Sequence, residues 1–508
     1  MRLAWRVPRL LVRSCGSQQR RTLLQPSFDY KYIRDNADRL LDSAAQRNVR
    51  GARPHRVGEL YDEFRALVSA ANEHRSTLNA ASKELGALAR AGKACKPSAQ
   101  GPQPQSEDPA VAALREQAMD AKLALQESKA RLAEVEAQLQ REAARIPNTS
   151  HPDTPVGDES CARVVRICGD LHNIHKVPLD GVDTRALSDA DFRDHYDLAL
   201  RLGIVDMEAG AKVAGSRFHY WRGAGALLEL ALVQFAMTRA AAAGFTLHIT
   251  PDAARSSVVD ACGFQPRPGA DEAAGTAGEA SQIYRITPVA HDAHGAADED
   301  DPLCLVATAE IPLVAMKQQQ LLGSATLPMS LAGMGHCFRA EAGARGRDTR
   351  GIYRLHQFTK VELVVLALPE HSDAELARLV SFQESLYADL GLTFRVLQMP
   401  TQELGASAYQ KFDVEAWMPG RGAWGEIASA SNCTDYQARR LGIRVRSSTA
   451  GAAPAFVHTL NATAVAVPRL VVALLESFQR PDGSVVIPAA LRPWMMGRDV
   501  LDPADAGA

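Results

Sequence analysis

The chain has 508 residues, enough for one to four domains, with an ordinary globular composition of 46% hydrophobic and 23% charged residues. Its 57 basic side chains nearly balance 59 acidic ones, so at a net charge of −2 the whole surface cannot serve as an electrostatic glove for nucleic acid, and any such contact must be a local patch. The eight cysteines are scattered, with no Cys-x-x-Cys pair, which argues against structural zinc and fits a reducing compartment.

The first stretch, MRLAWRVPRLLVRSCGSQQRRTLLQPSF, holds six arginines and no acid before Asp29. Arg2, Arg6, Arg9 and Arg13 recur every three or four residues among Leu, Trp and Val, which describes a basic amphipathic helix. That pattern predicts a mitochondrial presequence over residues 1–27 and, with it, a place in the mitochondrial matrix.

Two runs of apolar residues then alternate steps of four and three without a slip. One passes from Leu60 through Phe64, Leu67, Ala71, His74, Leu78, Ala81 and Leu85 to Leu88, the other from Leu114 through Ala121, Leu125 and Val135 to Leu139. A period of 3.5 means left-handed supercoiling. Residues 91–110 between the runs contain four prolines, so the helix must break there. The expectation is an antiparallel coiled-coil hairpin, each arm about 30 residues long and projecting on the order of 45 Å. Residues 145–160, with three prolines, end the arm and read as a linker.

Farther on, GAGALLELALVQFAMTRAAAAGFTLHITP reads as a long helix, a stop at Gly244 and a strand ending at Pro251. QIYRI and LCLVATAE read as strands, and the acidic segment 291–302 between them as a solvated loop. No 18-residue apolar run appears. The nearest, residues 462–475, is short and interrupted by Pro468 and Arg469, so no membrane partner is expected. The tail after Gly497 reads as disordered.

One stretch does not fit ordinary strand patterning. CFRAEAGARGRDTRGIYRLHQFTKVELVVL places five arginines between Arg339 and Arg354, then alternates Arg354, His356, Phe358, Lys360 and Glu362 on one face. Guanidinium forks suit phosphate oxygens, and an arginine with a flat ring can sandwich a base. Glu362 could take an ammonium. With no GxxxxGK[ST] and no GxGxxG beside a βαβ unit, such a nucleotide site is neither P-loop nor Rossmann.

FRAEAGARGRDTRGIYRLHQFTKVE resembles motif 2 of class II aminoacyl-tRNA synthetases in its seryl form. TAE (Thr308, Ala309, Glu310) is similar to the serine-recognition loop of that family. GALLELALVQF…GFTLHITP resembles motif 1, EIASASNCTDYQARR the strand before motif 3, and NATAVAVPRLVVALLES motif 3. DYKYIRDNADRL, the heptad hairpin and IPNTSHPDTPVGD match the family's N-terminal tRNA-binding domain in order. With the basic leader, the likeness is to the mitochondrial branch.

The resemblance implies an α+β fold: an antiparallel class II sheet flanked by helices, with an N-terminal antiparallel coiled-coil hairpin. It implies a presequence over 1–27, a tRNA-binding domain over 28–146, a linker over 147–165, a catalytic domain over 166–492 and a tail over 493–508. Its activity would be ATP-dependent joining of L-serine to mitochondrial tRNA(Ser) through a seryl-adenylate, with tRNA(Sec) a further acceptor to test, in a homodimer and without DNA. Carried over by position, Arg339 would contact the α-phosphate, Glu341 the adenine amino group and Phe358 the adenine face. Ala340, Leu355, His356 and Gln357 would line the ATP site together with Ile427 and Ala428. Arg469 would clamp the γ-phosphate, and Glu426 and Ser429 would hold Mg²⁺. Thr308, Ala309, Glu310, Glu362 and Thr463 would surround serine. Arg339, Glu426 and Arg469 make up the catalytic set.

The sequence departs from the family pattern in motif 3. Asn461-Ala462-Thr463-Ala464 stands where Gly-Ser-Gly usually follows the asparagine, Pro468 precedes Arg469, and Ala428 stands where serine is common. Three rival readings are weaker. A threonyl or prolyl enzyme would lack this hairpin with this TAE loop. A catalytically silent RNA-binding paralogue should have lost one of Arg339, Glu426 and Arg469. A coiled-coil scaffold leaves most of the chain unexplained.

Overall fold

The computed structural model describes residues 26–94, 109–169, 192–264, 283–286, 301–341, 351–446 and 451–503. The leader, the Pro-rich break of the hairpin, most of the acidic segment and the Arg-rich loop 342–350 therefore lie outside the described residues.

Near the N-terminus, Asp29 caps α1 (Tyr30–Asp35) by accepting from the Tyr32 amide at 2.9 Å, and α2 (Ala37–Gln46) follows. Two long helices, α3 (Pro54–Ala94) and α4 (Pro109–Ala144), then pair along their length. At 41 and 36 residues they are longer than the heptads alone required, and at about 1.5 Å per residue they run roughly 55–60 Å. Leu60, Ala71, Ala81, Ala121, Leu125, Val135 and Leu139 are buried in the seam as the heptads require, whereas Leu88 stays exposed near the far end. The cross-helix pair Arg131–Glu63 (2.6 Å) is exposed, so it fixes register more than stability. At the root, Ile33, Leu40, Val57, Leu60, Val135, Leu139 and Ile146 form a small core of their own.

The large sheet contains eight strands, numbered here in chain order: β1 (Arg163–Cys168), β2 (Thr246–Ile249), β3 (Met329–Phe338), β4 (Gln357–Ala367), β5 (Phe394–Gln398), β6 (Gln410–Met418), β7 (Ala423–Asn432) and β8 (His458–Ala466). Their spatial order is β1-β5-β6-β7-β8-β4-β3-β2, and every pairing is antiparallel except β2 with β3. The central strands are valine- and alanine-rich because both of their faces are covered. One face (Val361, Leu363, Val365, Val414, Ala428) packs on α7 (Ala224–Ala242), α10 (Ser372–Asp389) and α12 (Val467–Ser477). The other (Leu331, Val364, Leu366) meets three short helices, α8 (Ser256–Ala261), α9 (Glu310–Ala315) and α11 (Tyr436–Leu441), at one end and leaves the rest for the site. By length and composition α7 could cross a membrane, but it is a core helix packed through Leu228, Leu232, Phe235 and Ala236.

Gly333 and Gly335 on β3 let α9 and the chain that follows β2 lie directly on the sheet. A Cβ at Gly333 would come within 2.9 Å of the Leu313 side chain, and one at Gly335 within 2.5 Å of Thr250 Oγ1.

The stretch read as a linker is stitched to the catalytic sheet. The Asn148 amide donates to the Ser407 and Cys433 carbonyls, each at 2.9 Å, and to Thr434 Oγ1 at 3.0 Å. Arg47 of the arm's root donates to the Asn148 and Ala408 carbonyls at 2.9 Å. Strand β1 begins at Arg163, inside the segment expected to be linker. Other local expectations need correction. Of QIYRI, Arg285 makes a single bridge to Cys304, and the strand in LCLVATAE covers only Leu303–Leu305, because Thr308 already leads into α9. Asp301, at the end of the acidic segment, is buried and accepts from the Ser257 amide and hydroxyl at 2.9 and 2.8 Å. Beyond Gly497, Val500–Leu501 pair with Val485–Val486, so order extends into the expected tail.

Replacing Asn148 with Ala leaves two backbone carbonyls short of a donor at a partly buried joint, a loss of about 1–2 kcal/mol. Thermal unfolding followed by circular dichroism should show a Tm lower by a few degrees. An unchanged Tm would show that the joint is held elsewhere.

Candidate active site

The site starts where β3 and β4 end. Cys337 stands opposite Phe358 and Phe338 opposite Gln357, so Arg339 leaves β3 beside the first residues of β4. The Arg339 amide donates to the His356 carbonyl (2.9 Å), and His356 Nδ1 lies 2.8 Å from the Arg339 carbonyl. These contacts hold the Arg339 guanidinium 5.2 Å from the centre of the Phe358 ring, with Nε directed at the Ala307 carbonyl (3.4 Å). The alternation read from the sequence put Arg354 and His356 on a strand face with Phe358, and strand geometry would likewise pair Arg339 with Glu341. Both pairs lie outside the strands, and Glu341 has a left-handed backbone (φ +47°) that turns the chain there. Glu341 still meets Arg354, at 3.4 Å. Arg339, Glu341, Arg354, Leu355, Phe358 and Arg469 line one open cleft, which Ile352, Tyr353, Ala466 and Pro468 complete.

A β-bulge assembles the opposite wall. On β7, Glu426 pairs with Glu415 and Ala428 with Val414, so Ile427 is the extra residue. Without the bulge, Glu426 and Ser429 would point to opposite faces. With it both face the site, while Ile427 and Ala428 are buried in the core cluster. Those two can therefore line a ligand only through the backbone. Glu426 Oε2 lies 2.9 Å from Arg469 Nη1. Burial raises the Glu426 carboxyl, but Arg469, Lys411 and Arg339 outweigh it and hold the group down to about 2, so it is ionised at neutral pH. Arg469 extends from the first turn of α12, where Pro468 needs no backbone donor.

A second bulge, at Ala464 on β8, faces Thr463 and Ala466 toward the site. The Thr463 and Ala464 carbonyls are caught from the other face by Tyr387 Oη (3.3 and 3.1 Å), and Gln383 also donates to Thr463 (2.8 Å). Thr463 stands across from Glu362, its hydroxyl 3.5 Å from Oε2, and Lys360 Nζ lies 2.5 Å from the same carboxylate. Thr308, Ala309 and Glu310 are all buried above this pocket, and the Glu310 amide donates to Thr308 Oγ1 at 3.3 Å. Glu310 Oε1 accepts from Gln437 Nε2 (2.7 Å) and Asn461 Nδ2 (3.0 Å). Burial, reinforced by the nearby Glu362, lifts the Glu310 carboxyl to about 7.

All the sequence-derived candidates thus gather around one end of the sheet, with Ile427, Ala428 and Ala309 contributing backbone. Lys360, Gln437 and Asn461 were given no role from the sequence, although all three lie inside the quoted motifs. Their signal was a buried carboxylate that needs donors, and burial is not visible in a linear pattern. Glu426 and Ser429 offer a carboxylate and a hydroxyl on one face, a donor set suited to a Mg²⁺ ion that keeps waters and leans on phosphate. Among the described residues no cluster of three or more His, Cys, Asp or Glu could hold a metal alone.

A mostly antiparallel sheet that joins arginines and a ring at one strand pair to a Glu–Arg wall at another is the core of a class II aminoacyl-tRNA synthetase. The family model for the class II core domain of the glycyl, histidyl, prolyl, seryl and threonyl enzymes matches residues 291–478, and that for the seryl-tRNA synthetase N-terminal domain matches residues 28–150. The serine–tRNA ligase of Rubrobacter xylanophilus is 39% identical over 94% of this chain and 99% of its own. The mitochondrial serine–tRNA ligase of Mus musculus is 42% identical over 71% of this chain and 63% of its own. The crystal structure of Pyrococcus horikoshii seryl-tRNA synthetase complexed with ATP superposes with a TM-score of 0.78 at 32% identity, covering 94% and 99% of the two chains. The chain belongs to the seryl-tRNA synthetase family, whose members are serine–tRNA ligases.

The raised Glu310 carboxyl makes a pH prediction. The sequence offered Glu362 for an ammonium, but Lys360 already pairs with that carboxylate, so an amino acid's ammonium is expected at Glu310, where docking favours the ionised carboxylate, releases a proton and tightens as pH rises through about 7. The KM for serine should fall by up to about tenfold per unit between pH 6 and 7 and then level off, and Glu310→Gln should flatten the profile. A wild-type KM independent of pH would place the ammonium elsewhere.

Proposed function

We propose that this serine–tRNA ligase works in the mitochondrial matrix as a homodimer, forming seryl-adenylate from L-serine and ATP and passing the seryl group to mitochondrial tRNA(Ser). The observation that carries the chemistry is the junction of two pockets at Arg339, with a cationic cleft on one side and a buried carboxylate pocket on the other. In the cleft, Phe358 and Arg339 take the adenine and α-phosphate, Glu341 the base edge and Arg469 the far phosphate. Across the junction Glu310, Glu362, Thr308 and Thr463 bind serine. A carboxylate oxygen of serine attacks the α-phosphorus, and the bond to the bridging oxygen breaks, releasing diphosphate. The tRNA's 3′-terminal hydroxyl then attacks the seryl carbonyl and AMP leaves. Mg²⁺ held by Glu426 and Ser429 would offset phosphate charge. The residues act by positioning and electrostatics, with no protein nucleophile.

The mitochondrial assignment rests on the basic amphipathic leader and the likeness to the mouse mitochondrial enzyme. The dimer is supported by apolar side chains at the β2 edge and on α7, where Ile249 is 84% and Leu230 60% exposed.

Arg339→Ala should lower serine-dependent ATP–diphosphate exchange by 10² or more while the protein stays folded. Near-normal exchange would remove Arg339 from the chemistry. The same charging assay with a tRNA(Sec) transcript tests the second acceptor. Fusing residues 1–27 to a fluorescent protein should send it to mitochondria, and a cytosolic fusion would overturn the matrix assignment. Ile249→Asp should convert a sedimenting dimer to monomer, and a wild type that sediments as a monomer would refute the dimer.

A further inference from the structure

Tyr353 lines the cleft but carries none of the roles given above. Its hydroxyl donates to the Glu426 carbonyl at 3.0 Å. The guanidinium carbons of Arg421 and Arg469 lie 4.3 and 4.9 Å from its ring centre. One ring therefore touches both members of the Glu426–Arg469 pair, the carboxylate's residue through its backbone and the guanidinium through the π face.

The surroundings fix that ring. The next residue back, Ile352, is fully buried, and Gly351 (φ +79°) lies so close to α5 (His195–Arg201) that a Cβ there would sit 2.4 Å from His195 Nε2. Gly425 clears space for the hydroxyl, since a Cβ there would stand 3.3 Å from it. Glu476 is seven residues after Arg469, two turns along α12, and is fully buried. It accepts from the Arg421 amide (3.0 Å) and the His195 amide (3.0 Å), tying the second arginine and α5 to the helix that carries the first.

We propose that Tyr353 is a positioning residue for ATP, holding the Arg469 guanidinium over its ring at the phosphate end of the cleft. This rests on the reading of Arg469 as a phosphate ligand. The pairing with the Glu426 carboxylate uses Nη1 of Arg469 (2.9 Å), which leaves the other N–H donors of the guanidinium for phosphate. The ring face supplies a contact that does not compete for its N–H donors, so the arginine stays aimed with those donors left for Glu426 and phosphate. The ring matters more than the hydroxyl, which holds only the backbone of Glu426.

The test uses the full-length enzyme with Tyr353 replaced by Phe and by mono-, di- and trifluorinated Phe, which weaken the ring's negative face with little change of shape. Tyr353→Phe should leave the KM for ATP in diphosphate exchange within about threefold. The fluorinated series should raise it progressively, to about tenfold, with the KM for serine within twofold. A flat series would overturn the proposal. So would equal rises in both KM values, which would mark general support of the fold. In an Arg469→Ala background, Tyr353→Leu should add less than twofold to the Kd for Mg·ATP measured by calorimetry. Its full effect persisting there would show that Tyr353 does not act through Arg469. If Arg469→Ala itself leaves Mg·ATP binding unchanged, the phosphate-ligand reading fails first, and the fluorinated series still reports on Tyr353 separately.

Discussion

A carboxylate removed from water must be given donors or a cation, and two of them, Glu362 on β4 and Glu310 at the start of α9, are buried at one end of the sheet beside the partly exposed Glu426. Glu362 is met by Lys360, Glu426 by Arg469, and Glu310 by two amides alone. An uncompensated buried charge costs several kcal/mol, so these partners are part of the fold as well as of the site. The three differ in consequence. Glu426, beside cations, stays ionised at all ordinary pH, whereas Glu310, with neutral donors and a carboxylate neighbour, is poised near neutrality.

Two bulges make that arrangement possible. Strand alternation would put Glu426 and Ser429 on opposite faces, and likewise Thr463 and Ala466. One extra residue in each strand restores them to the same face, and the displaced carbonyls on β8 are caught by Tyr387 and Gln383 from α10. The core helix behind the sheet thus supports the site in front of it. The glycines of β3 act from the same side as the ligands, letting Leu313 of α9 and Thr250 settle onto the strand.

The arm belongs to the same structure through its root. Asn148 and Arg47 tie the base of the coiled coil to the loop at 405–408 and to Cys433, whose thiol lies 3.5 Å from Asn461 Nδ2, one of the two donors to Glu310. The same segment that reads as a Pro-rich connector therefore serves as a docking joint, because its polar groups find backbone acceptors that a free linker would leave to water.

What the sequence determined by itself was whatever local chemistry dictates. Unbroken heptads with a Pro-rich break required a hairpin, Gly244 ended a helix, Pro468 suited the first turn of another, and the arginines and ring from Arg339 to Phe358 indicated a nucleotide site, to which the family resemblance added Glu426 and Arg469. Side-chain period and backbone constraints act over a few residues, so they survive in a linear string. The tertiary structure decided the rest. The bulge at Ala464, the donors on Glu310, the burial of Asp301 and the two arginines around Tyr353 depend on groups between about 40 and 150 residues apart, and the bulge at Ile427 depends on the register of the neighbouring strand β6. Which face a strand residue shows is set by its neighbour's register. Which carboxylate loses its water is set by what packs over it. Both are properties of the folded sheet, and neither has a local signature.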